Sequence, residues 1–227
     1  MGIVSLENTG RLYWLGRYSE RVYTTIRLFS ASYDRLIEQT EESMAYIDGF
    51  CRSLEIPNIY SSREDFLFRY CFDETDPNSV YANLLRAYDN CVTLREEIGS
   101  ESVAYIQLAL YGLQKAARSA APLVELQKVD DNILAFWGMT DDSIESENVR
   151  NLIKVGKRVE RLDLYVRLRR PAEDIRREAH RLAGRIPRTQ LHYDPAKLRE
   201  LVELAEAETP DCDTLLCRVE AFLEGQV

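Results

Sequence analysis

The sequence predicts an all-α protein, a single-domain helical bundle with two long helices that repeat one another. Three observations carry this. Apolar residues recur at three- and four-residue spacing along most of the chain. Gly and Pro number only 10 and 7 in 227 residues, too few for a many-turned β protein. No segment reads as a strand, and the long Gly-poor periodic stretches fit a bundle.

The first long helix is expected over residues 5–38. Leu12, Leu15, Ser19, Val22, Ile26, Phe29, Tyr33 and Leu36 alternate by threes and fours, the seam of a packed helix, and Ser5 is placed to cap it. A shorter helix over about 42–55 carries Met44, Ile47, Cys51 and Leu54 on one side and stops before Pro57. Ser62 can cap a helix at 63–72 that turns Phe66, Leu67 and Tyr70 inward. The run Asp73-Glu74-Thr75-Asp76-Pro77-Asn78 is a loop. A strong helix over 79–98 buries Val80, Leu84, Ala87, Cys91 and Leu94 and ends at Gly99, and a new one starts at Ser100. Pro122 opens a helix to about Trp137, with a turn expected at Gly138 and Thr140-Asp141-Asp142-Ser143. The second long helix spans 145–169. Pro171 opens a further helix to about Arg185, and Asp194-Pro195 and Thr209-Pro210 start two short closing helices.

No stretch approaches the ~20 consecutive apolar residues of a membrane span. The first residues lack a basic segment followed by an apolar run, so a cytoplasmic protein with no membrane partner is expected. Net charge is −9, which weighs against nucleic acid as a partner. The charge is uneven, however. Residues 150–188 hold 13 Lys/Arg against 5 Asp/Glu, a local +8, and 24 of the 29 basic residues are Arg. Such a stretch is either a solvated face or a site for acidic groups. Cysteines 51, 71, 91, 212 and 217 include no Cys-x-x-Cys pair; the first three sit in apolar helical patterns and read as small core residues. No phosphate-cradling glycine loop, no His-Glu-x-x-His and no Glu-x-x-His ligand pair occurs, so no cofactor and no metal is expected. The acidic pairs Asp130-Asp131 and Asp141-Asp142 read as capping and loop charge.

Shifting the chain by 140 positions aligns residues 7–28 with 147–168 and gives eight identities in 22 places: Glu7/Glu147, Asn8/Asn148, Leu12/Leu152, Gly16/Gly156, Glu20/Glu160, Arg21/Arg161, Arg27/Arg167 and Leu28/Leu168. Gly16, Glu20, Tyr23 and Arg27 form one stripe beside the apolar seam, repeated by Gly156, Glu160, Asp163 and Arg167. A mid-helix Gly costs ~1 kcal/mol relative to Ala, so its recurrence signals a close approach by a helix or a ligand. Arg17 and Lys157 stand three residues before the glutamates, near enough to pair with them. If the long helices pack together, the Glu-Arg pairs meet, either as an ion-pair latch or as an acid-base or anion site.

Tyr13-Trp14-Leu15-Gly16-Arg17-Tyr18-Ser19-Glu20-Arg21 resembles the N-terminal signature of the bacterial alpha-E domain family, and Val155-Gly156-Lys157-Arg158-Val159-Glu160-Arg161-Leu162-Asp163 resembles its second Glu-Arg segment. Asn78-Ser79-Val80 and the stretch from Ala87 to Ile98 resemble its central segment, which retains Arg95; the family has arginines in place of Tyr88 and Val92 and a Trp in place of Val103. The resemblance covers about residues 5–170 and divides the chain into an alpha-E-like core, 1–170, and C-terminal helices over 171–227 packed on the same domain. It implies a helical partner of a permuted ATP-grasp-type ligase, often accompanied by a transglutaminase-like protein, in amide or peptide ligation. Self-association is left open. The expected binding residues are Arg17, Glu20, Arg21, Arg95, Lys157, Glu160 and Arg161. The alternative is a catalytic subunit whose glutamates act as acid or base beside an arginine clamp.

Overall fold

The structure, a computed structural model, describes residues 5–38 and 43–223, and side chains other than those of residues 31–43 and Glu220. Among the described residues there is no strand. The helices are α1 (Leu6–Glu38), α2 (Ser43–Leu54), α3 (Arg63–Phe72), α4 (Val80–Thr93), α5 (Arg95–Ile98), α6 (Ser100–Ala116), α7 (Pro122–Ser143), α8 (Glu147–Arg167), α9 (Ala172–Ala183), α10 (Pro195–Ala205) and α11 (Cys212–Ala221), with a 3₁₀ turn at Ile186–Arg188.

The two repeat-related helices α1 and α8 pack against each other along the centre of the bundle. They run in the same direction, because contacts keep a near-constant offset in sequence: residues 13–17 lie on residues 153–157, and residues 17–21 pair with residues 160–161. Their seams, Leu12, Leu15, Val22 and Ile26 with Leu152, Val155, Val159, Leu162 and Val166, are buried. The Tyr33 and Leu36 end of the expected seam lies outside the described side chains. α4 lies antiparallel on α1, with Arg11 near Asn90 and Arg86 over Tyr18. α9 lies antiparallel on α8 in the same manner, with Arg158 on Glu178 and Arg185 on Asn151. The α6–α7 pair closes one side against α1 and α4, and α10 and α11 cover α9 and α8. Fully buried Phe66, Phe136, Leu94, Ile98, Ile106 and Leu126 fill the spaces between these layers.

The boundaries follow local chemistry. Ser5, Ser62, Ser79 and Ser146 accept backbone N–H bonds at the starts of α1, α3, α4 and α8. Three expectations need correction. The helix expected over 79–98 is divided at Leu94, giving α4 and α5. The turn expected at Gly138 is absent: α7 runs on to Ser143 because Ile133, Phe136, Trp137 and Thr140 continue one buried face, with Gly138 on the solvent side. α11 is capped by Asp211, whose side chain accepts from the Asp213 and Thr214 amides.

The basic stretch 150–188 is largely tied up within the molecule. Lys154 pairs with Asp141, Arg158 and Arg181 with Glu178, Arg169 with Asp213, and Arg170 and Arg177 with Asp174. Cys51, Cys71 and Cys91 are buried as expected, and burial pushes the Cys71 and Cys91 thiols well up.

Candidate functional site

Where α1 and α8 touch, each helix presents a glycine to the other's backbone. A Cβ on Gly16 would collide with the Ile153 carbonyl and the Lys157 amide; one on Gly156 would collide with the Tyr13 carbonyl and the Arg17 amide. Subtracting 140 turns the first set into the second. The contact therefore has an approximate two-fold relation, and the echo in sequence is its operator.

The same reciprocity governs the charges one turn on. Arg21 pairs with Glu160, and Arg161 pairs with Glu20. Both glutamates are fully buried. Arg17 reaches across to Glu160, not back to Glu20 as its spacing suggested; its Nε lies 2.6 Å from Glu160 Oε2. Lys157 feels the Glu20 charge at the equivalent place. The structure thus brings together six of the seven expected residues. Arg95 stands apart, exposed on α5 and bonded to the Ser100 hydroxyl.

The two faces of this latch are not alike. On the Glu20 face, Arg161 is held through two nitrogens, Nε at 2.6 Å and Nη2 at 2.8 Å, and Thr24 donates to Oε1 at 2.7 Å. α7 seals this face. Trp137 donates to the Ser19 hydroxyl at 3.4 Å, and the Lys157 ammonium sits 3.1 Å from the centre of its ring. Burial raises the Glu20 carboxyl above its usual range against the opposing pull of Arg161. Burial also lowers Lys157 to about 7, Glu20 opposing it. Asp130 is buried mid-helix in α7, 4 % exposed, not the capping charge its sequence position suggested. Its Oδ1 has no hydrogen-bond partner, and burial pushes its carboxyl up to about 7.

On the Glu160 face the carboxylate takes one Nε from each of two arginines, Arg17 on Oε2 and Arg21 on Oε1. Burial works against the Glu160 charge, but Arg21 and Arg17 outweigh it and hold the carboxyl below its usual range. This face opens into a cleft of about 320 Å³ walled by Arg17, Arg21 and Thr25 of α1, Asp163 and Arg167 of α8, Glu55 and Ile56 after α2, Tyr70 of α3 and Asn78 before α4. Arg167 donates through Nε to Asp163 at 3.0 Å and pairs with Glu55 at 2.9 Å. Burial, reinforced by the nearby Glu160, raises Asp163. On the sealed face the position equivalent to Asp163 is Tyr23, whose hydroxyl accepts from Arg27 at 2.8 Å.

Sequence reasoning reached Asp163 and Arg167 as stripe positions but did not assign them to a site. It missed Glu55, Tyr70 and Thr25, which reach the cleft only through tertiary packing. It also missed Trp137, which decides the face that is closed.

A family model described as a predicted alpha-helical domain with a conserved ER motif matches residues 8–209, a span that continues past Arg170 through α9 and α10. Glu20-Arg21 and Glu160-Arg161 are the two Glu-Arg steps in the sequence. No curated protein and no solved structure matches the chain.

Proposed function

The chain belongs to the Alpha-E family, and from that premise we propose that it is a non-catalytic helical partner of an ATP-grasp-type amide or peptide ligase, with a transglutaminase-like protein as a further companion. In this reading the open Glu-Arg face receives an anionic group of the partner protein or of a bound intermediate. The observation that carries it is the way Glu160 uses its arginines. It engages Arg17 and Arg21 through Nε, so both guanidinium groups are fixed side by side at the wall of the cleft. Prepositioned guanidinium groups are suited to carboxylate and phosphate.

The enzymatic alternative, with Glu20 and Glu160 as acid and base, has less support. Both carboxylates already accept charged hydrogen bonds on each oxygen, and Glu20 lies on the sealed face. The test is co-purification of the tagged chain with an ATP-grasp-type ligase of the same cell. Arg21→Gln, which leaves Arg17 to hold Glu160, should lose the partner while melting within a few degrees of the wild type. Turnover by the purified chain alone, abolished by Glu20→Gln in a folded variant, would overturn the proposal in favour of the enzyme.

A further inference from the structure

The cleft has two walls of opposite character. One presents Arg17 and Arg21; the other presents Asp163 and Glu55, bridged by Arg167. With Glu160 behind the arginines and Arg167 within the acidic wall, the charges balance overall, three positive against three negative, but each wall keeps its own sign. A multiply charged anion entering this space would gain from one wall and be repelled by the other. A group that is negative at one end and carries N–H donors at the other matches both. Accordingly, we infer that the cleft takes a carboxylate borne next to an ammonium or amide N–H, an amino acid or a peptide terminus, rather than a phosphate.

Two features of the acidic wall go beyond what the helix pairing needs. The approximate two-fold relation places Tyr23 where Asp163 stands: the exposed Arg27 donates to a neutral hydroxyl, whereas the largely buried Arg167 donates to a carboxylate at the cleft. A carboxylate at this place is therefore not a feature that the two halves of the α1–α8 contact share. Glu55 follows the last residue of α2 with a φ of 54°, where glycine is the unstrained choice. The turn is closed by the Glu55 amide on the Arg52 carbonyl and the Ile56 amide on the Cys51 carbonyl, bonds that glycine would also make. Strain retained for a side chain at the rim of a cleft points to use of that side chain.

The inference rests on the cleft being the ligand site of the proposed function. Titration calorimetry on the full chain at fixed ionic strength tests it, with L-alanine, L-alanyl-L-alanine, the C-terminal amide of that dipeptide, its N-acetyl form and inorganic phosphate as probes. Expected is binding of the free dipeptide or of alanine. Amidation of the carboxyl and the Arg21→Gln substitution should each weaken it tenfold or more. Asp163→Asn, which keeps an acceptor for Arg167, should weaken the free-amine form several-fold and leave the acetylated form unchanged. Equal binding of alanine and dipeptide marks a free amino acid as the ligand; preference for the dipeptide marks a chain terminus. Phosphate binding more tightly than every carboxylate, with loss in Arg21→Gln, would overturn the inference and leave an anion site. So would failure of all probes while Arg21→Gln still abolishes partner capture. Partner capture indifferent to Arg21→Gln would instead remove the reading beneath it.

Discussion

Gly16 and Gly156 occupy equivalent places in the contact between α1 and α8, each admitting the backbone of the opposite helix where a side chain would stand. The obstacle to a larger residue at either place is a carbonyl and an amide of a regular helix, which cannot rotate aside as a side chain can. The closest approach of the two long helices is therefore set by these two residues.

Gly16→Ala and Gly156→Ala should each destabilise by about 3 kcal/mol or more, the upper end of overpacking costs. For a chain of this size that is a fall in Tm of roughly 6–12 °C, read by thermal melting. Gly138→Ala is the control. It sits within α7 with nothing near the added methyl, and should stabilise by about 0.5–1 kcal/mol.

Glu160→Ala strands Arg17 and Arg21 and should cost about 3–5 kcal/mol in chemical denaturation. The pH dependence has a definite sign. The Glu160 carboxyl is held below its unfolded value, so its contribution is present above the ordinary Glu range and is lost as acid brings the pH through the depressed folded value. Glu160→Gln should flatten that acid limb.

Asp130 and Lys157 should together contribute least to stability near neutrality. Asp130 is raised from 3.8 to about 7, so the stability it contributes when protonated is lost as pH rises across that window. Lys157 is lowered from 10.5 to about 7; above that value the unfolded chain binds the extra proton, and stability rises with pH. Asp130→Asn should flatten the fall between pH 4 and 7, and Lys157→Met the rise above pH 7. Denaturation midpoints measured across pH separate the two.

Glu55→Gly should be neutral to stabilising by about 1 kcal/mol. It relieves a left-handed conformation worth about 1–2 kcal/mol. It gives up an ion pair whose acid is largely exposed, worth about 0–1 kcal/mol. A gain in Tm together with weaker dipeptide binding would mark Glu55 as kept for the cleft.

The all-α class and the pairing of the long helices were legible because both are periodic signals. The apolar seam repeats every three or four residues, and the Gly-x-x-x-Glu-Arg pattern repeats after 140. What escaped was whatever depends on a third element. Nothing in residues 7–28 or 147–168 says that Trp137 will cover the Glu20 side, or that the segment after α2 will bring Glu55 to Arg167. The partner of Arg17 was misjudged for a related reason. Three-residue spacing permits a bond to Glu20, but Arg161 takes both Glu20 oxygens and the parallel neighbour offers Glu160 to Arg17. Gly138 does not stop α7, because a solvent-facing glycine costs a helix only ~1 kcal/mol when the opposite face is buried.

In an assembly of two identical chains, every substitution is made twice, and a symmetric contact cannot dedicate one side to binding and the other to support. Here both sides of the contact are encoded separately in one chain. Position 163 holds Asp while its counterpart 23 holds Tyr, and a tryptophan-bearing helix covers one side alone. Covalent linkage of the two halves thereby permits a division of labour: one buried Glu-Arg pair is shut away under a third helix as a fastener, and the other keeps its arginines at an open cleft.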